Sequence, residues 1–195
     1  MKNRILGLIN REGCRVTASD PFGKKGRFQL DSLELSASIR RMVDSNLVMS
    51  DLLSAQILSL DREIEQIAEA DPMVGYLRTI DGVGYFTALA IRAAVGQMSR
   101  FRSAKAFAAY TGLIPGYRQS AETVHNGPIT KQGSPTLRWL LIQAVPHAVR
   151  RSDYLKRLYY RLCYRSSVAQ ARVAVAHALA RIIYHVWTEA RPYYR

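Results

Sequence analysis

Between Ser36 and Ala70 the sequence repeats apolar residues with a period suited to one kind of element. Leu53, Ile57, Leu60, Ile64 and Ile67 follow one another at spacings of 4, 3, 4 and 3. On an α-helix, side chains three and four apart stand on one face, so this order draws a single apolar seam along a long helix. Asp61, Arg62, Glu63 and Glu65 fill positions between. A seam this regular calls for a second helix, in the same chain or another; the plainer reading is an amphipathic helix lying on a globular domain. The coiled-coil contact is the expectation we carry forward, and with it a homo-oligomer formed through residues 36–71.

Helical signals dominate elsewhere too. Ile5, Leu8 and Ile9 share a face, so residues 1–10 read as the end of a helix. Residues 11–29 contain Gly13, Pro21, Gly23 and Gly26 and read as a loop, with Gly23–Arg27 as a short basic turn. Asp71 can cap a helix that starts at Pro72, because proline lacks the N–H that a first helical residue leaves unpaired. That helix, to Thr79, runs into the turn Ile80-Asp81-Gly82-Val83-Gly84, and a second follows from Phe86 to Val95, stopped by Gly96. Ser103 caps a short helix to Thr111. Residues 112–135 carry seven glycines and prolines and read as an irregular loop with room for a hairpin; a loop of this length inside a compact domain is usually functional. Helices from Thr136 to Arg151, with a kink expected at Pro146, from Asp153 to Arg165 and from Ala169 to Glu189 complete the chain. The fold class expected is mainly α: a long coiled-coil-like helix followed by a small helical domain with a helix-hairpin-helix and an irregular functional loop. Its divisions are residues 1–35, 36–71 and 72–195, the first read as the remnant of an inter-domain helix with a basic loop.

Charge divides the chain at nearly the same place. Residues 1–81 hold 11 Lys and Arg against 12 Asp and Glu, and residues 82–195 hold 17 against 3. The second segment therefore carries +14 and the first −1, which together give the net +13. A basic surface of that size neutralises phosphates and releases their counterions, which makes DNA or structured RNA the expected partner. No apolar run approaches the roughly 20 residues of a membrane span, and the N-terminus lacks the pattern of a secretory signal, so a cytoplasmic protein without membrane contact is expected. Cys14 and Cys163 are far apart, and the four histidines form no zinc-ligand spacing, so no metal site is expected in this chain. The basic segment holds only Glu122, Asp153 and Glu189, too scattered for the converging carboxylates of a two-metal nuclease.

Three stretches can carry chemistry. In Ile80–Gly84, Gly82, Val83 and Gly84 have the form of a hairpin whose backbone approaches a phosphate beside a helix N-terminus; a plain helical corner is the alternative. Lys131 and Arg138 flank a turn at a helix start, where phosphate and solvent are equally good partners for them. Ser120 lies in Pro115-Gly116-Tyr117-Arg118-Gln119-Ser120, and nothing in its local sequence marks it as a nucleophile.

These stretches together resemble the C-terminal, transposase-domain half of the DEDD-type, serine-dependent insertion-sequence transposases of the IS110 family. The resemblance rests on Asn3-Arg4, Gly23–Gly26, Thr79–Gly84, Phe101–Lys105, Ala109–Pro115, Gln119-Ser120, Gly127, Ile129–Ser134 and Leu137-Arg138-Trp139, in order along the chain. It implies DNA transposition in which Ser120 attacks a DNA phosphodiester, with Arg118, Lys131 and Arg138 and the Gly82–Gly84 hairpin on nucleic acid. It implies a RuvC-like domain, outside this chain, that supplies the acidic ligands for Mg²⁺. It also implies a structured guide RNA. Ala121-Glu122 departs from the family's usual glycines after the serine, and Asp81 from its usual proline. A non-catalytic nucleic-acid-binding module of the same descent is the alternative function.

Overall fold

The computed structural model describes residues 1–120 and 123–194, with 115–128 described by backbone alone. Among these residues the order is α1 (Lys2–Arg11), α2 (Lys24–Ser32), α3 (Ala37–Ala70), α4 (Pro72–Arg78), α5 (Tyr85–Val95), a 3₁₀ turn (Met98–Arg100), α6 (Ala104–Tyr110), β1 (Pro115–Ser120), β2 (Thr123–Ile129), α7 (Pro135–Arg151), α8 (Asp153–Arg165) and α9 (Val168–Glu189). The fold is mainly helical, as its periodicities require. The chain divides into two compact units, Met1–Arg62 and Glu63–Arg195.

The first unit buries Ile5, Leu8, Ile9, Leu30, Val43 and Leu47 in a small core. The Glu12 carboxylate receives the N–H of Ser36 at 2.8 Å and its hydroxyl at 2.7 Å, which satisfies a donor at the start of α3. Those hydrogen bonds hold the Glu12 carboxyl below its ordinary range. The expected basic turn is instead the first turn of α2. Gly26 is needed there for packing: a Cβ on it would stand 2.3 Å from the backbone of Asp20 and Pro21. A packing glycine and a loop glycine look alike in sequence, which is why α2 read as loop.

In α3 the heptad frame changes its surroundings along the helix. Val43 and Ser50 are buried in the first unit and Asn46 is half-buried. Continued in the same frame, Leu53, Ile57, Leu60 and Ile67 are 48 to 59% exposed. The seam is covered within the chain up to Ser50, open at Leu53, Ile57, Leu60 and Ile67, and half-covered at Ile64.

The second unit packs α4 to α9 around Leu77, Ile91, Phe107, Leu137, Leu141, Leu179 and Ile183. Helix α9 lies against α4, α6, α7 and α8. Its Ala171, Ala176 and Ala180 are fully buried, and small residues there permit close approach of the surrounding helices. The caps foreseen at Asp71 and Ser103 form: the Asp71 carboxylate accepts from Met73 N and the Ser103 hydroxyl from Ala106 N. Ser134, Ser152 and Ser167 do the same for α7, α8 and α9, and Pro135 takes the first position of α7. Helix α7 continues through Pro146, which is exposed, so its ring is accommodated on the outer side of the helix. Strands β1 and β2 pair antiparallel, with Arg118 opposite His125, Ser120 opposite Thr123, and an irregularity between Pro115 and Tyr117.

Candidate nucleic-acid interface

The α4–α5 turn is built from inside. Ile80, Asp81 and Val83 are buried, and the N–H of Val83 donates to the carbonyl of Ile80 at 3.0 Å. Gly82 has φ of +88°, and a Cβ there would meet Ala148 N at 2.6 Å and Ala144 O at 2.8 Å. Its lack of a side chain therefore serves the packing of the turn on α7. Of the three residues read as the phosphate-binding hairpin, Gly84 is the exposed one. Open space surrounds its Cβ position, and no side chain caps α5 beside it. Next to Gly84, the guanidinium of Arg78 lies 3.2 Å from the centroid of the Tyr85 ring. The Tyr85 hydroxyl donates to Glu69 at 3.2 Å. Burial first, then this bond to a carboxylate, raises the Tyr85 pKa. The sequence reading missed Arg78; its signal is a cation and an aromatic placed on either side of a glycine turn.

The base of the β-hairpin is clamped to the helices that flank it. The N–H groups of Thr130, Lys131 and Ser134 donate to Ile114, Gly112 and Tyr110. Arg138 reaches back from the first turn of α7 and donates to the carbonyls of Thr111 at 3.2 Å and Lys131 at 3.1 Å. Gly133, at φ +106°, lies so close to Tyr110 that a Cβ would stand 1.9 Å from its carbonyl oxygen. Lys131 itself has φ of +54°, a conformation that a non-glycine residue adopts where its surroundings fix it. Its side chain is exposed. Arg138, read as an anion ligand or a solvated group, thus holds the two ends of the hairpin together. Ser120 ends β1, and Arg118 lies two residues earlier on the same strand; both fall where backbone alone is described, and Ala121 and Glu122 lie outside the described residues.

Among the described residues no group of three or more His, Cys, Asp or Glu is placed to hold a metal ion. Their carboxylates, histidines and cysteines do not fit a catalytic Mg²⁺. No helix among them is long and apolar enough to cross a membrane.

A glycine turn docked on α7 and a clamped hairpin fall within one stretch of sequence. Residues 74–161 form a domain of the Transposase IS116/IS110/IS902 family. The chain is also similar to a probable family 20 transposase of Pseudomonas aeruginosa, with 32% identity over 68% of this chain and 40% of that protein. It shares 28% identity with the transposase for insertion sequence element IS1111A of Coxiella burnetii, over 98% of this chain and 54% of the relative. With the pilin gene-inverting protein of Moraxella lacunata it shares 31%, over 72% of this chain and 46% of the relative. The chain thus spans about half the length of the curated relatives it matches. The transposase-family domain takes in the α4–α5 turn, the hairpin, α7 and most of α8.

Proposed function

We propose that this chain is the DNA-binding, nucleophile-bearing C-terminal part of an insertion-sequence transposase. The observation that carries the reading is the transposase-family match at residues 74–161, set within a segment of +14 charge. DNA phosphates meet Gly84 and the start of α5, with Arg78 beside them, while Lys131 and Arg118 supply charge along the hairpin. Ser120 attacks a DNA phosphodiester: its oxygen bonds to phosphorus, the bond from phosphorus to one sugar oxygen breaks, and that strand leaves with a free hydroxyl. The acidic ligands for Mg²⁺ come from a RuvC-like domain outside this chain, a structured RNA guides the DNA choice, and copies associate through the uncovered seam of α3.

Complementation tests this. The chain is mixed with a RuvC-like domain from a related transposase, its matching RNA, Mg²⁺ and labelled element-end DNA, and denaturing gels detect DNA bound covalently to protein. Attachment that is lost in Ser120→Ala supports the serine as nucleophile. Attachment that survives the substitution overturns that role, and salt-sensitive DNA binding without attachment favours the non-catalytic module.

A further inference from the structure

Helix α8 carries surface chemistry that the reaction proposed above leaves unused. Its inward side is thin: Leu155 is buried, and Leu158, Tyr159, Leu162 and Cys163 are half-buried. The outward side places Arg157, Arg161 and Arg165 at successive spacings of four, one guanidinium per turn. Beside that row stand Tyr160 and Tyr164, also four apart, and Tyr154 lies near its start. Tyr154 and Tyr160 are more than half exposed and Tyr164 is 93% exposed. Among the described residues none of the three arginines pairs with an acidic group. Arg157 donates to the backbone carbonyl of Asp153 at 3.3 Å. Tyr160 packs edge-to-face on Tyr159 at 5.4 Å, which fixes its ring on the surface. A shallow groove runs along the helix past Tyr154, Arg157, Tyr160 and Arg161.

We propose that α8 is a binding rail for an unpaired DNA strand, with phosphates on the Arg157, Arg161 and Arg165 row and bases stacked on Tyr160 and Tyr164. The proposal deepens the transposase reading by assigning its DNA a second, single-stranded contact. Charge complementarity selects a polyanion. The aromatic row selects one whose bases are free, since a duplex hides its base faces and would be served as well by arginines alone. A tyrosine as open as Tyr164 gains from a partner with a flat apolar face.

Fluorescence anisotropy on the full chain tests this with three probes: a single-stranded DNA 20-mer, its duplex, and RNA of the same sequence as the single strand. Tyr160→Leu with Tyr164→Leu is expected to weaken single-strand binding by at least about tenfold and duplex binding by less than about twofold. Arg157→Gln with Arg161→Gln is expected to lower the salt slope for the single strand by about 1.4. Both pairs lie on the surface, and unchanged circular dichroism and melting confirm the fold. Unaltered single-strand binding in the tyrosine variant, an equal loss on single strand and duplex, or stronger binding of the RNA probe each overturns the proposal while leaving the transposase reading intact. Failure of the unsubstituted chain to bind any of the three probes at low salt overturns both.

Discussion

In the second unit Phe107, Leu137, Leu141 and Leu179 are almost wholly covered, whereas in the first Phe28, Val48, Leu52 and Ile57 stand more than half exposed. The second unit closes its core with α4 to α9, and the large side chains it leaves exposed are chiefly aromatic: Phe86, Trp139, Tyr154, Tyr160 and Tyr164. The first has a small core and a helix whose seam is covered up to Ser50 and open from Leu53 to Leu60. Covering an exposed Leu or Ile contributes about 1.5–3 kcal/mol, so an open seam is a standing source of association energy. The contrast is one of self-sufficiency: the second unit covers its large side chains from within, and the first leaves a row of them for a partner to cover.

The largest expected effect breaks the open side of that contrast. Ile57→Glu with Leu60→Glu puts two charges into the seam at positions exposed in the single chain. The expected outcome in sedimentation is conversion of an oligomer into a monomer, with the melting of the second unit unchanged. If wild type and variant sediment as the same species, α3 does not join copies of this chain.

On the closed side, Phe107→Ala empties a fully buried aromatic site and is expected to cost about 3–5 kcal/mol in urea unfolding. Leu30→Ala in the first unit is expected to leave that transition where it is. A single shared shift for both variants would show that the two units unfold as one.

A smaller effect separates clamp from ligand at Arg138. Arg138→Met removes two hydrogen bonds from a charged donor to the carbonyls of Thr111 and Lys131, a loss of about 1–3 kcal/mol. Hydrogen exchange at the Lys131 and Ser134 amides is expected to accelerate, with the salt slope of DNA binding unchanged. A slope that falls by about one would return Arg138 to a phosphate.

What the sequence makes legible here is whatever local physics fixes. The seam of α3 is one such feature, because a 4-3-4-3 repeat serves no strand or loop. The caps at Asp71 and Ser103 are another, because short oxygen side chains before a helical run have one obvious use. Roles set by distant partners were hidden. Gly82 reads as a phosphate-approach glycine until Ala144 and Ala148 of α7 are seen against it. Arg138 reads as an anion ligand until the carbonyls of Thr111 and Lys131 are seen around its guanidinium. The tyrosines of α8 were passed over for the converse reason. Aromatic residues at helical spacing normally face a core, and only their exposure shows that Leu155 and its half-buried neighbours already supply that face.

Acid should distinguish the two units by the pH at which each weakens, the smallest effect expected. His177 on α9 is half-buried, and burial, with the nearby Arg181 charge adding to it, lowers its pKa below the ordinary 6.5. In the unfolded chain the imidazole takes up its proton near 6.5, whereas in the folded unit it resists. The unfolded state therefore binds more protons between the two values, and stability rises with pH there. The second unit is expected to keep its full stability above about pH 6.5, to lose some as pH falls through the folded value, and to level off below it. In the first unit the lowered Glu12 carboxyl shifts the corresponding loss to below the ordinary glutamate value of 4.5. Urea midpoints taken from pH 7.5 down to about 3 check this, with His177→Gln as the control. The variant should flatten the decline that begins near pH 6.5 and leave the Glu12 decline in place. A decline of the same size in His177→Gln would assign it to another group.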